Sequence, residues 1–209
     1  MTEPATTGRS RSSDWTLMHA QHDAFRRDLD GLLATRAGRT AVWARWAVFR
    51  DQLRFHHTAE DTAMWPPVRA RLTGNPVGLA LMDAMEDEHK LIDPLLAAID
   101  DALAMNSDEQ RLRGLLSQLR TTLASHLAHE EADALPLISQ VMTGAELTAI
   151  RKAIAKMSGL KLAAVMFPWA LSTASPEVRA QVLAQLPVPA RLLYRARWLP
   201  RYTRTTPPL

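Results

Sequence analysis

Cysteine is absent from the 209 residues, which excludes disulfides, iron–sulfur ligation and a thiolate zinc site. Any metal would have to be held by nitrogen and oxygen, a donor set that favours iron, manganese or zinc. Glycine is scarce too: there are eight and no Gly-x-Gly pattern, so no phosphate loop or dinucleotide fingerprint competes for the function. No uncharged run of about 18 apolar residues occurs, and no segment is expected to span a bilayer. The opening MTEPATTGRSRSSD lacks an apolar stretch, so no secretory signal is expected. The expectation is a soluble, cytoplasmic protein, at most peripheral to a membrane.

Acidic residues run out toward the end. Residues 1–150 hold 15 Lys/Arg against 21 Asp/Glu, a balance of −6, whereas residues 151–209 hold 10 against the single Glu177, a balance of +9. Two parts of opposite electrostatic character are joined in one chain.

What is present is helical amphipathicity. A polar lead (1–13), read as disordered, precedes a helix over about 15–36 with Asp14 as its cap and Trp15, Met18, His22, Phe25, Leu29 and Leu32 on one stripe. Gly38–Thr40 breaks it. A second helix is predicted over 41–72, bent near Pro66-Pro67 because proline removes a donor and clashes with the preceding turn. Asn75-Pro76 starts a third, to about 105, and Ser107 and Asp108 cap a fourth. No alternating pattern suggests a strand. These features predict an all-α protein: an up-down-up-down four-helix bundle over 14–142, followed by a helical, basic C-terminal extension over 143–209. In the extension, Thr143-x-x-Glu146 reads as a capping box opening a helix to about 171, and Ser175-Pro176 starts a short one. The final stretch is expected to be only partly regular.

All seven histidines lie in these helices, and His22, His56, Glu60, His89, His126 and Glu130 continue the apolar stripe of their own helix. A buried imidazole or carboxylate is costly without a partner, and six converging ones point to a metal in the bundle core. His56/Glu60 and His126/Glu130 are four residues apart, so each pair shares a helix face. Two carboxylates suited to bridging suggest two ions. Imidazole with carboxylate suits non-haem iron, and even with an oxo or hydroxo bridge six ligands leave positions open for dioxygen, peroxide or nitric oxide. His57 points about 100° from His56 and is expected at the surface or behind a ligand. His19 and His129, each three residues from a ligand, are expected to flank the site. Asp61, Glu131 and Asp133 are expected to orient ligands or sit at the surface.

These residues resemble the hemerythrin-like (HHE cation-binding) family: His22-Asp23, the HHxxED of His56 to Asp61, the EDEH ending at His89, and the HxxxEE of His126 to Glu131. The resemblance covers about residues 14–140. It implies that His22, His56, Glu60, His89, His126 and Glu130 are di-iron ligands, a set most similar to that of bacterial hemerythrin-like iron-centre repair proteins. Oxygen-carrying members have a second His one turn before the third-helix ligand, where this chain has Met85. Their last acid falls five residues beyond its His, which here would be Glu131 instead of Glu130. Glu86 is one candidate for the Met85 vacancy, as a ligand or as a hydrogen-bond partner of one.

The function expected is a di-iron protein binding dioxygen, nitric oxide or peroxide for sensing, storage or stress defence. The alternatives are a di-iron enzyme, decomposing peroxide or oxidising a small substrate, and an interaction module in which metal stabilises the fold. In the extension, Arg191, Arg195, Arg197, Arg201 and Arg204 interleave with Leu192, Leu193, Tyr194, Trp198 and Tyr202. This composition suits a membrane interface or a protein contact through 188–204. The −6 against +9 split favours intramolecular docking instead, with the arginines paired to the bundle's acidic surface. No motif for specific nucleic-acid binding accompanies the charge.

Overall fold

Capping and proline place the helix boundaries. In the computed structural model, which describes residues 15–105 and 108–205, the elements are α1 (Thr16–Ala34), α2 (Arg39–Ala59), α3 (Trp65–Arg71), α4 (Pro76–Ala104), α5 (Glu109–His129), α6 (Leu135–Val141), α7 (Gly144–Leu171), α8 (Pro176–Ala184), α9 (Val188–Leu193) and α10 (Leu199–Thr205). The polar lead 1–13, Asp14 and Ser107 lie outside the described residues. Asn75 accepts from the Gly78 N–H at the start of α4, and Asp108 from the Arg111 N–H at the start of α5. Thr143 and Glu146 form the reciprocal capping box of α7, which satisfies amides that a helix start otherwise leaves bare. Among the described residues there is no strand.

Three wide π-turns interrupt the helices, over Glu60–Met64, Glu130–Ala134 and Tyr194–Trp198. Each begins six residues before a proline: Pro66, Pro136 and Pro200. Proline cannot donate to the carbonyl four residues back, and its ring collides with it. Widening the preceding turn relieves the collision without ending the helix. The chain therefore passes from α2 through a π-turn into α3, where the sequence predicted a bend, and likewise from α5 into α6. The same device keeps the last segment helical from Val188 to Thr205, against the expectation of partial order.

Helices α1, α2, α4 and α5 pack in a ring, each against the next and α5 back against α1. The core divides into two apolar clusters. One holds Phe25, Leu29, Trp46, Phe49, Leu53, Ile92, Leu96, Leu119 and Leu123. The other is rich in methionine, with Met18, Met64, Met82, Met85 and Met142 beside Trp65 and Leu135. On every helix the histidines fall between the two: His22 between Met18 and Phe25, His56 between Leu53 and Met64, His89 between Met85 and Ile92, His126 between Leu123 and Ala134. The methionine cluster is met first along α1 and α4, and last along α2 and α5.

The extension joins the core through α7, which turns at Gly159 (φ 59°, ψ 179°). That backbone is strained for any residue with a Cβ. Before the kink Leu147 and Ile150 cover the methionine cluster; after it Trp169 and Ala170 enter the other. By length and composition α7 could cross a bilayer, yet 39% of its most apolar window is buried within the fold. A buried polar knot holds it to α1. Asp28, fully buried, accepts from Trp169 Nε1 (2.8 Å), Arg45 (2.7 Å) and Arg27 (2.6 Å).

The expected electrostatic seam is not what attaches the tail. Among the described residues, Lys152, Lys156, Lys161, Arg191, Arg195, Arg197, Arg201 and Arg204 have no carboxylate within ion-pair reach. Beside the Asp28 knot and the Arg45–Tyr202 hydrogen bond, its attachments are apolar, with Met166, Phe167, Leu171, Val182, Tyr194 and Trp198 around Ala20 of α1. Basic side chains on a solvated face gain little from pairing, whereas burying these large residues removes substantial apolar area.

Candidate metal centre

The layer between the two clusters contains five imidazoles and two carboxylates, all buried: His22, His56, His57, His89, His126, Glu60 and Glu130. Glu60 and Glu130 each open a π-turn, a deformation that recurs at functional positions in helices. The two stretches have the same layout, His-x-x-x-Glu-acid followed by the proline, at His56 to Pro66 and at His126 to Pro136.

The side chains fall into two groups whose ligand atoms lie within 4.8 Å of one another, His22/His56/Glu130 and His57/His89/His126, with Glu60, His126 and Glu130 forming a third group that overlaps both. In the first, His22 Nε2 is 3.2 Å from His56 Nε2 and 3.1 Å from Glu130. Glu60 spans the groups, one oxygen 3.1 Å from His56 Nε2 and the other 3.5 Å from His89 Nε2. Both oxygens of Glu60 and of Glu130, both nitrogens of His57, and the Nε2 atoms of His89 and His126 are buried without a hydrogen-bond partner. Buried polar atoms are rarely left so. A donor set of bare nitrogens and carboxylate oxygens turned on one another fits a pair of cations.

A ring of outer acids sets the tautomers. His22 Nδ1–H donates to Glu131 (2.8 Å), His89 Nδ1–H to Asp61 (2.9 Å) and His126 Nδ1–H to Glu88 (2.8 Å). With the proton on Nδ1, each Nε2 presents a lone pair inward. Asp61 and Glu131 thus orient ligand candidates, as expected, while Asp133 is exposed, 3.8 Å from His129.

Electrostatics favour the neutral form of two interior imidazoles, His56 and His57. Burial and the neighbouring imidazoles push His56 and His57 well below the ordinary histidine range. Burial also lowers His22, but the nearby charges of Glu130 and Glu131 and the hydrogen bond to Glu131 outweigh it and leave that group raised. Burial beside Glu130 and Asp61 raises Glu60 well above the usual carboxylate range.

Three positions differ from the sequence expectations. His57 is 4% exposed and stacks on His89, ring centroids 3.9 Å apart. The 100° step from His56 carries it from the α1 side of α2 to the α4 and α5 side, not out to solvent, because a bundle helix faces two neighbours. Glu86 does not enter the layer; it turns outward to Arg69 at 2.9 Å. Glu88, which sequence reasoning passed over, bridges His126 and His129 Nδ1 (2.7 Å). Its signal was adjacency to His89, one residue round the helix toward α5. His19 is buried, 3.7 Å from Glu131, and half-exposed His129 flanks the site through Glu88. Glu130 faces the layer, and Glu131 stands behind His22, paired also with Arg26.

A ring of helices around a buried, unpartnered His/Glu layer defines a helical metal-binding protein. The model of the hemerythrin HHE cation-binding domain matches residues 13–138, and the chain belongs to that family. Among curated proteins and solved structures, no match is found.

Proposed function

We propose that this layer holds two non-haem iron ions and that the chain binds dioxygen, nitric oxide or peroxide there, in sensing, storage or defence against oxidative and nitrosative stress. The observation that carries the reading is that Glu60 and Glu130 face both imidazole groups with all four oxygens unpartnered. His22 and His56 would hold one ion and His57, His89 and His126 the other, with Glu60 and Glu130 between them. His57 then supplies the imidazole that Met85 does not. Bound iron would supply open coordination positions and redox capacity. The chain's own part is to hold and to exclude: Glu131, Asp61 and Glu88 fix three imidazoles by their Nδ1 protons, and the methionine cluster walls one side against water. An up-down-up-down order of the four long helices accords with the alternating order in which they meet the two clusters.

Two surface clefts, of about 320 and 370 Å³, are lined by residues such as Arg36, Arg39 and Arg113, or Arg26, Asp30 and Arg120, and neither includes a member of the His/Glu layer. The likeness of the set His22, His56, Glu60, His89, His126 and Glu130 to that of iron-centre repair proteins is what would extend the function beyond reversible storage. Anaerobic reconstitution with ferrous iron tests the reading. About two irons per chain, with a spectrum that changes on adding dioxygen, nitric oxide or peroxide, is expected. Less than one iron per chain, or a spectrum indifferent to all three, refutes it. Steady consumption of peroxide would select the enzyme alternative.

A further inference from the structure

The tail presents cations without carboxylates and apolar side chains without cover, and the two coincide. Phe167 of α7 stacks on Trp198, centroids 6.4 Å apart and planes 8° from parallel. One turn on, Ala170 shares a cluster with Tyr202, and one turn back Ala163 shares one with Tyr194. Along the tail itself, Val188 (57% exposed), Arg191 and Leu192 (62%) recur at three- and four-residue steps and share one face of α9. Exposed Arg195, Arg197, Arg201 and Arg204 continue outward along the tail, and Glu177 is the only acid in 151–209.

We propose that this face docks on the surface of an anionic lipid bilayer, with Val188 and Leu192 entering the headgroup–acyl boundary and the arginines meeting lipid phosphates. The choice of a bilayer over a nucleic acid rests on the apolar residues. Side chains exposed at 57% and 62% gain nothing from a phosphodiester backbone, which contacts only the cations, but are removed from water at a membrane interface.

Co-sedimentation of the full-length, iron-loaded chain with phosphatidylcholine vesicles, with and without phosphatidylglycerol, tests the proposal. Binding only to the anionic vesicles is expected, weakened by salt. Each cation at such a surface contributes about five-fold, so Arg195→Gln with Arg197→Gln lowers affinity about 25-fold. Val188→Ser with Leu192→Ser lowers it by about ten-fold per side chain. Both pairs are exposed, so iron content and helical circular dichroism should hold in each variant. Failure to sediment with anionic vesicles overturns the proposal. So does binding that ignores the apolar substitutions and is competed equally by duplex DNA, which would mark a generic polyanion site.

Discussion

Replacing Asp28 by alanine should cost more than any surface change in the molecule. The carboxylate is fully buried, and one oxygen takes Arg45 at 2.7 Å while the other takes the Trp169 indole N–H at 2.8 Å. Arg45 is 9% exposed, so its guanidinium would be left as a nearly buried charge, a situation that costs about 3–5 kcal/mol. The orphaned Trp169 N–H adds about 1 kcal/mol. Arg27 contributes little, because its side chain is 21% exposed and can return to water. A loss of about 5 kcal/mol in a chain of this size corresponds to a fall in Tm of roughly 10–20 °C. Thermal melting followed by circular dichroism measures it. Limited proteolysis should show earlier cutting around Ser172–Ser175, the link that follows the helix Asp28 holds. Asp28→Asn keeps one acceptor and should fall between wild type and Asp28→Ala. A Tm for Asp28→Ala within about 2 °C of wild type would refute the reasoning, since it would mean that Arg45 and Trp169 find other partners at no cost.

Other outcomes follow from the same geometry. His57→Ala should lower iron to about one per chain or less, as should His56→Ala, and full iron in His57→Ala would remove His57 from the site; metal analysis decides it. Glu88→Gln and Asp61→Asn should each weaken iron binding by about 10–100-fold in a chelator competition, because each frees an imidazole whose Nδ1–H it holds. Chelation should lower the Tm, since ligands that bind only the folded state stabilise it, and a melt insensitive to iron would contradict the site. Gly159→Ala should cost about 1–3 kcal/mol by urea titration, the strain of placing a Cβ at φ 59°.

The stripes that defined four helices were legible because buried positions recur with the helical period, and the same rhythm singled out His22, His56, Glu60, His89, His126 and Glu130. A stripe has a centre line, and residues just off it are read as edge or surface. His57 and Glu88 each sit one residue from a stripe member and face the next helix round the ring, so only the assembled bundle shows that His57 points inward and that Glu88 reaches His126. The π-turns are illegible for a different reason. Pro66, Pro136 and Pro200 announce a disturbance, but whether a helix ends, kinks or widens depends on what packs around it. The kink at Gly159 was hidden because apolar residues continue on both sides. The attachment of the tail was misjudged from bulk charge, when buried aromatic residues and one carboxylate set it.

Helix α1 carries both the His22 imidazole and, six residues on, the carboxylate that pins the extension. At 1.5 Å per residue these two points are about 9 Å apart on one stiff rod. The helix that seats His22 in the layer is therefore also the one to which the extension is anchored, so the two parts of the chain share a single rigid element.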